Sequence, residues 1–288
     1  MTRLTEARRF YARLLAAHAG ARDPRLEEAF ATIPREAFLG PGPWTIIVIP
    51  WTAGRHAVET PSADPVHLYQ NHLVALDRDK GINNGEPLLH AMWMTKAAPK
   101  PGEHVTHVGA GTGYYSAVLS RLVQPDGKVT AYEYEAHLAA RATDNLTGYD
   151  NVTVVHGDAV HAELPLSDVI YVNAGAIAPP ASWLQALKPG GRLVFPWRPA
   201  EKIGLAVMVT RLEKGFACQP FMRSWFIPCV GASRAGPNSA PVKVPTSEQA
   251  KRSRSLFITK EKAPDATATA IFGDVWFSSR SLGGRKPA

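Results

Sequence analysis

The 288-residue chain holds only two cysteines, Cys218 and Cys229, and neither stands in a metal or redox spacing. A disulfide framework is therefore excluded; one bridge between the two stays open, and a reducing cytoplasm is the expected compartment. No run approaches the roughly 20 apolar residues that a membrane span needs. Arg3, Glu6, Arg8, Arg9 and Arg13 crowd the start, so no apolar signal segment is expected after Met1. The ten histidines show no H-x-x-x-H or H-E-x-x-H spacing, and no metal is predicted. Internal repeats are absent. What is present is ordinary globular stock, 45% hydrophobic and 20% charged, enough for one large domain or one domain with an appendage.

Positive charge is unevenly spread. Of the net +7, residues 234–288 carry +6, around Lys251, Arg252 and Arg254 and near Arg280, Arg285 and Lys286. A basic tail can touch nucleic acid, acidic peptide or a membrane surface, but a solvated extension is the simpler expectation, and nucleic acid is not expected as a partner.

Four regions follow from the pattern. Residues 2–39 read as helical, with Phe10, Leu14 and Ala17 and then Leu26, Ala29 and Phe30 at helical spacing. Asp23-Pro24 marks a helix start. Residues 40–87 contain a strand-like Thr45 to Trp51 but are broken by Pro50, Pro61 and Pro65, and read as irregular. From Leu88 to about Val230, strands at 103–108, 128–132, 151–156, 167–172 and 192–196 alternate with helices at 88–98, 113–122, 135–146 and 180–187. That alternation predicts an α/β fold, a mostly parallel central sheet with helices on both faces. Gly204 to Leu212 and Phe221 to Val230 extend its edge. Beyond Ala235, Leu256 to Thr259 and Thr267 to Phe277 offer strands or a docking segment. The division is thus 1–87, an amino-terminal helical cap with an acceptor loop; 88–233, a ligand-binding core; and 234–288, a basic extension.

The strand at 103–108 runs into His107-Val108-Gly109-Ala110-Gly111-Thr112-Gly113 and then a helix. Glycine at such a turn lets a ligand approach the backbone, because it lacks Cβ and tolerates positive φ. The pattern alone is weak, since dinucleotide enzymes use a near relative. The following strands end in Glu133-Tyr134 and in Gly157-Asp158-Ala159, acceptors placed for ribose hydroxyls and an adenine amino group. Singly, Glu133 reads equally well as a helix start and Asp158 as a turn residue. Together on successive strand ends they favour a ligand. The third glycine comes one residue too early for a dinucleotide fingerprint, which points to S-adenosyl-L-methionine.

At this point the chain resembles the protein-L-isoaspartate O-methyltransferase family of class I, Rossmann-like methyltransferases. Asp23-Pro24-Arg25-Leu26 with Ile33-Pro34-Arg35-Glu36-Ala37-Phe38 is similar to the family's "D-x-R-V…V-P-R-E-x-F". Leu187-Lys188-Pro189-Gly190-Gly191-Arg192-Leu193-Val194-Phe195-Pro196 is similar to its "L-K-x-G-G-R-L-V-x-P". The resemblance implies that Gly109, Ala110, Gly111, Gly113, Glu133, Tyr134, Asp158 and Ala159 contact the cofactor, with His90 beside it. Two stretches depart from the pattern. Where relatives carry "G-Q-T-I-S-x-P-x-x-x-A", with a serine assigned to catalysis, this chain has Gly81-Ile82-Asn83-Asn84-Gly85-Glu86-Pro87-Leu88-Leu89-His90-Ala91. The family's glycine-rich loop after Pro196 is replaced by Trp197-Arg198-Pro199-Ala200-Glu201-Lys202.

A carboxylate acceptor is ionised at neutral pH and needs no general base, whereas a hydroxyl or amine would need one. Glu86 and His90 are the candidate catalytic residues. Asn83, Asn84 and Glu86 are the candidate substrate-binding residues, with Asn173 at the end of the fourth strand as a further cofactor contact. Against these stand a tight turn at Asn83-Asn84-Gly85, a helix start at Glu86-Pro87 and a packed His90. Trp44, Trp51 and Trp93 suit either an acceptor pocket or the core. Carboxyl-directed O-methylation of a peptide or protein is the expectation. The alternatives are methylation of a tailored ribosomal peptide or small metabolite, and a non-catalytic module that binds the cofactor or a peptide.

Overall fold

The computed structural model describes residues 2–49, 54, 56–234 and 241–282. Trp51 of the expected strand, Arg285 and Lys286 therefore lie outside the described residues. Helix α1 (Arg3–Ala19) is capped by Thr2 and closed by Gly20 at φ 62°. In α2 (Pro24–Thr32), Asp23 accepts from the backbone N–H of Arg25 and Pro24 opens the first turn, as the sequence requires. Strands β1 (Thr45–Val48), β2 (His56–Glu59), β3 (Leu73–Asp77) and β4 (Ile82–Asn83) follow. Next come α3 (Pro87–Ala97), β5 (His104–Val108), α4 (Tyr114–Leu122), β6 (Lys128–Glu133), α5 (Ala136–Asn145), β7 (Val152–His156), β8 (Ser167–Val172) and α6 (Ala181–Gln185). The remainder is β9 (Leu187–Ala200), β10 (Ile203–Arg211), β11 (Phe216–Arg223), β12 (Pro241–Lys243), α7 (Ser247–Lys251), β13 (Ser255–Ile258), β14 (Ala268–Phe272) and β15 (Val275–Ser278). Among the described residues no helix is long and apolar enough to cross a membrane.

The chain divides into two units, Met1–Glu103 with Ala110–Gly157, and His104–Gly109 with Asp158–Ala288. In the first, β6 and β7 pair in parallel, from Val129 with Val152 to Glu133 with His156. The amino-terminal helices bury an aromatic cluster in which Tyr11 meets Phe30 edge-on and Phe38 meets Tyr114. Within residues 40–87, read as irregular apart from a strand-like Thr45 to Trp51, the described residues form a sheet of order β2-β1-β3-β4, with the expected strand present as β1. Its strands span two to five residues and pair antiparallel, Ile46 standing opposite both Val58 and Val74. Such short strands give no sustained alternation, so long-range pairing rather than local pattern makes them. Trp44 packs with Leu39, Leu68 and Val74 beside this sheet.

In the second unit the strands run β12-β14-β15-β13-β11-β10-β9-β8-β5. The β5, β8 and β9 pairings are parallel. From β9 onward each is antiparallel. Lys188–Gly191, expected as a turn before a strand, lies inside β9, where the register jumps from Leu187 opposite Ser167 to Arg192 opposite Val169. The apolar run Phe221 to Val230 was expected as a strand. The strand is instead Phe216–Arg223, because the reversal at Leu212–Gly215 returns the chain beside β10. Of the two readings of the C-terminal region, the strands offered at 256–259 and 267–277 hold, as β13 (Ser255–Ile258), β14 (Ala268–Phe272) and β15 (Val275–Ser278). In place of a solvated extension, β13 and β15 join the sheet, and Phe257, Trp276 and Phe277 are buried. Phe277 stacks on Trp197 of β9 at 4.0 Å between ring centroids. Both cysteines are reduced and buried here.

Candidate active site

In the first unit, Gly111 and Gly113 take φ values of 58° and 95°, in the left-handed region that glycine enters freely. A Cβ on Gly113 would stand 2.7 Å from Cδ1 of Leu146, so the turn needs glycine for space as well as for angle. The turn is bound to the end of β6. Ala110 N–H donates to the carbonyl of Tyr132 at 3.0 Å, and Gly111 N–H donates to Oε2 of Glu133 at 2.6 Å. The other carboxylate oxygen, Oε1, accepts from the backbone N–H of Glu135 at 2.9 Å. Burial pushes the Glu133 carboxyl above its ordinary range, and the backbone donors oppose that shift. Each carboxylate oxygen has two lone pairs, so both can accept further bonds from a diol. Tyr134 is half exposed beside it.

The loop before α3 carries glycine at position 85, where the relatives' pattern has serine. Gly85 has φ 77°, and its N–H donates to Oδ1 of Asn83, a tight turn. His90, one turn into α3, is buried and stacks on Tyr115 at 3.6 Å between ring centroids. A Cβ at position 85 would lie 2.3 Å from Nε2 of His90, so the histidine ring fills the space a side chain there would need. Tyr115 Oη donates to the carbonyl of Gly85 at 3.2 Å. Glu86 accepts from Nδ2 of Asn71 at 2.6 Å, and Oδ1 of Asn71 accepts the N–H of Leu88 at 2.7 Å. Asn84 is buried, its Oδ1 accepting from Val74 N–H at 2.9 Å and from Arg35 at 3.3 Å. Arg35, wholly buried, also donates to the carbonyls of Leu68, Gln70 and His72. Glu86 and His90 thus share one helix start, while Asn84 faces the protein interior. Trp93 is fully buried. Asn71, Tyr115 and Arg35 carried no sequence signal as site residues, since each acts through contacts distant along the chain.

In the second unit, Gly109 follows β5 at φ 78°, and a Cβ there would meet Cβ of Asn173 at 3.5 Å. Asn173 continues β8 and donates from Nδ2 to Nε2 of His107 at 2.8 Å, while its Oδ1 is buried without a hydrogen-bond partner. Burial pulls the His107 imidazole down to about 3, so the ring is neutral at physiological pH and Nε2 is an acceptor. Asp158 uses Oδ1 on Val160 N–H and Oδ2 on His161, both at 2.8 Å, the local turn anticipated as its simpler role. Ala159 is buried and its carbonyl accepts from the Trp183 indole at 2.9 Å.

The fold is that of class I methyltransferases. A solved protein-L-isoaspartate O-methyltransferase matches with a TM-score of 0.66 at 21% identity, over 95% of this chain and 88% of that one. A protein of that name from Plasmodium falciparum, in complex with S-adenosyl-L-homocysteine, matches at TM-score 0.61 and 16% identity, over 77% of this chain and 97% of that one. The family model for protein-L-isoaspartate(D-aspartate) O-methyltransferase matches residues 12–234, and the chain belongs to that family. The enzyme of that name from Methanopyrus kandleri is 43% identical over 122 residues, 41% of this chain and 54% of the relative. The cofactor expected from the sequence is S-adenosyl-L-methionine. Two features of the glycine turn suit it: left-handed φ at Gly111 and Gly113 with no Cβ, and a Glu133 carboxylate whose oxygens keep lone pairs for further bonds.

Proposed function

We propose that this protein transfers a methyl group from S-adenosyl-L-methionine to a carboxylate of a peptide or protein, with an isoaspartyl residue as the first acceptor to test. The observation that carries the reading is the Gly111–Glu133 hydrogen bond within a left-handed glycine turn, set in a chain of this family. On this reading Gly109, Ala110, Gly111, Gly113 and Tyr134 line the cofactor, Glu133 holds its ribose, and Asp158, Ala159 and Asn173 complete the contacts. Residues 1–87 carry the acceptor side, 88–233 the cofactor core and 234–288 the basic extension, and the compartment is the cytoplasm.

The cofactor supplies a sulfonium-activated methyl group. An ionised acceptor carboxylate would take that methyl group without giving up a proton, so no residue need act as a general base. The residues therefore serve alignment and water exclusion, which can lower the barrier by several kcal/mol. Because position 85 is glycine and its side-chain space is filled by His90, no serine hydroxyl takes part at this point. His90 and Glu86 at the start of α3 are the polar groups that orient the acceptor, with Asn83 in the turn before them.

Incubation with radiolabelled S-adenosyl-L-methionine and an isoaspartyl peptide is expected to give a base-labile methyl ester. No ester, with S-adenosylhomocysteine still bound, would sink the isoaspartyl form of the proposal. Unchanged turnover in a Glu86→Ala, His90→Ala double variant would remove those two residues from the site.

The altered loop favours a second reading, in which the acceptor is a modified ribosomal peptide or a small metabolite. It predicts methyl transfer to such a compound where the isoaspartyl peptide fails.

A further inference from the structure

We propose that Arg198 recognises the acceptor carboxylate, an assignment that rests on the carboxyl-directed reading above. In an open parallel sheet, ligands bind beyond the carboxyl ends of the strands. Asn173–Ala176 is the segment directly beyond the end of β8, and Arg198 is tied to it. Its backbone N–H donates to the carbonyl of Ala176 at 2.7 Å, and Ala176 bridges to Trp197. A Cβ at Gly175 would lie 2.7 Å from Cδ of Arg198, so the absence of a side chain there admits the arginine stem.

The guanidinium is under-used where it stands. Nη1 donates to the carbonyl of Phe226 at 2.6 Å, and Nε is buried without a hydrogen-bond partner. Among the described residues no carboxylate pairs with it. A guanidinium carries five donors in a planar fork that matches a carboxylate, and a partly buried cation without a counter-ion is costly. An anionic ligand relieves that cost. An ester does not, so the pair forms in the substrate complex and is lost on methylation, which favours release of the product. Arg198 therefore governs binding more than the rate of transfer. It also belongs to the segment that replaces the family's glycine-rich loop, where this chain parts from its relatives.

The test titrates an isoaspartyl peptide and its α-amide counterpart into the full chain saturated with S-adenosylhomocysteine. Wild type is expected to prefer the carboxylate on the order of tenfold, R198Q to show a preference of no more than about twofold, and R198K, which keeps the charge without the fork, to fall between them. KM for the carboxylate peptide should rise in R198Q with little change in kcat. A folded R198Q that retains the full preference overturns the assignment while wild-type turnover leaves the carboxyl-directed reading standing. A wild type that binds neither peptide and forms no ester overturns both. Should R198Q fail to fold, the wild-type preference must shrink as salt is raised, and a salt-independent preference overturns the assignment.

Discussion

Gly85 and His90 form a coupled pair, because one has no side chain where the other places its ring. Gly85→Ser reinstates the relatives' residue, yet it drives a Cβ into Nε2 at 2.3 Å and places serine at φ 77°. The expected loss of stability is about 1–3 kcal/mol, partly recovered when His90→Ala is added. Denaturant melts of the two single variants and the double variant measure that coupling, and strict additivity would refute it. His107 gives a second residue-scale expectation. Its folded-state value of about 3 lies below the unfolded value of about 6.5, so the unfolded chain binds the extra proton. Stability is then fully present above about pH 6.5 and declines as pH falls toward 3, by up to about 1.4 kcal/mol per pH unit. Urea unfolding at pH 7 and pH 5 should show the drop, and His107→Gln should remove that share of it.

At the scale of elements, the start of α3 is held by a residue from outside the helix. Asn71 accepts from Leu88 N–H and donates to Glu86, doing what a local N-cap side chain would do, whereas Glu86 makes no capping bond of its own. Asn71→Ala should therefore cost about 1 kcal/mol of stability and free the Glu86 carboxylate. If Glu86 orients the acceptor, KM rises with it, and steady-state kinetics beside a thermal melt separates the two effects. The buried Arg35 acts on the same neighbourhood, holding three carbonyls of the 68–72 stretch and Asn84. It serves as a cross-link for loops that local sequence does not order.

For the whole molecule, the C-terminal strands decide whether the second unit has a finished sheet. β13 pairs with β11, and Phe277 covers the indole of Trp197. Truncation after Arg234 would expose the β11 edge and that apolar surface, so the shortened chain should aggregate or melt well below the full chain. Light scattering and calorimetry on both would decide it. A truncated protein that stays monodisperse with the full-length Tm would return residues 241–282 to the status of a dispensable tail.

Most elements between Leu88 and Arg211 were legible because apolar strands and helices alternate there between turn residues, and Ser167–Val172 is the same in sequence and structure, whereas Lys188–Gly191 read as a turn and lies inside β9. The glycine turn was legible for another reason. Positive φ favours glycine at 109, 111 and 113, and at 113 close packing against Leu146 does so as well, so backbone geometry writes itself into residue type there. Glu133 followed as an acid at a strand end. What only the tertiary structure decided depends on partners far along the chain. Short strands pair across loops in residues 40–87, the segments offered as strands at 256–259 and 267–277 find their pairing partners, and Asn71 and Arg35 reach along the chain to shape the loop before α3. Local sequence carries local energetics, whereas pairing, burial and the filling of position 85 by the ring of His90 exist only once the chain has closed on itself.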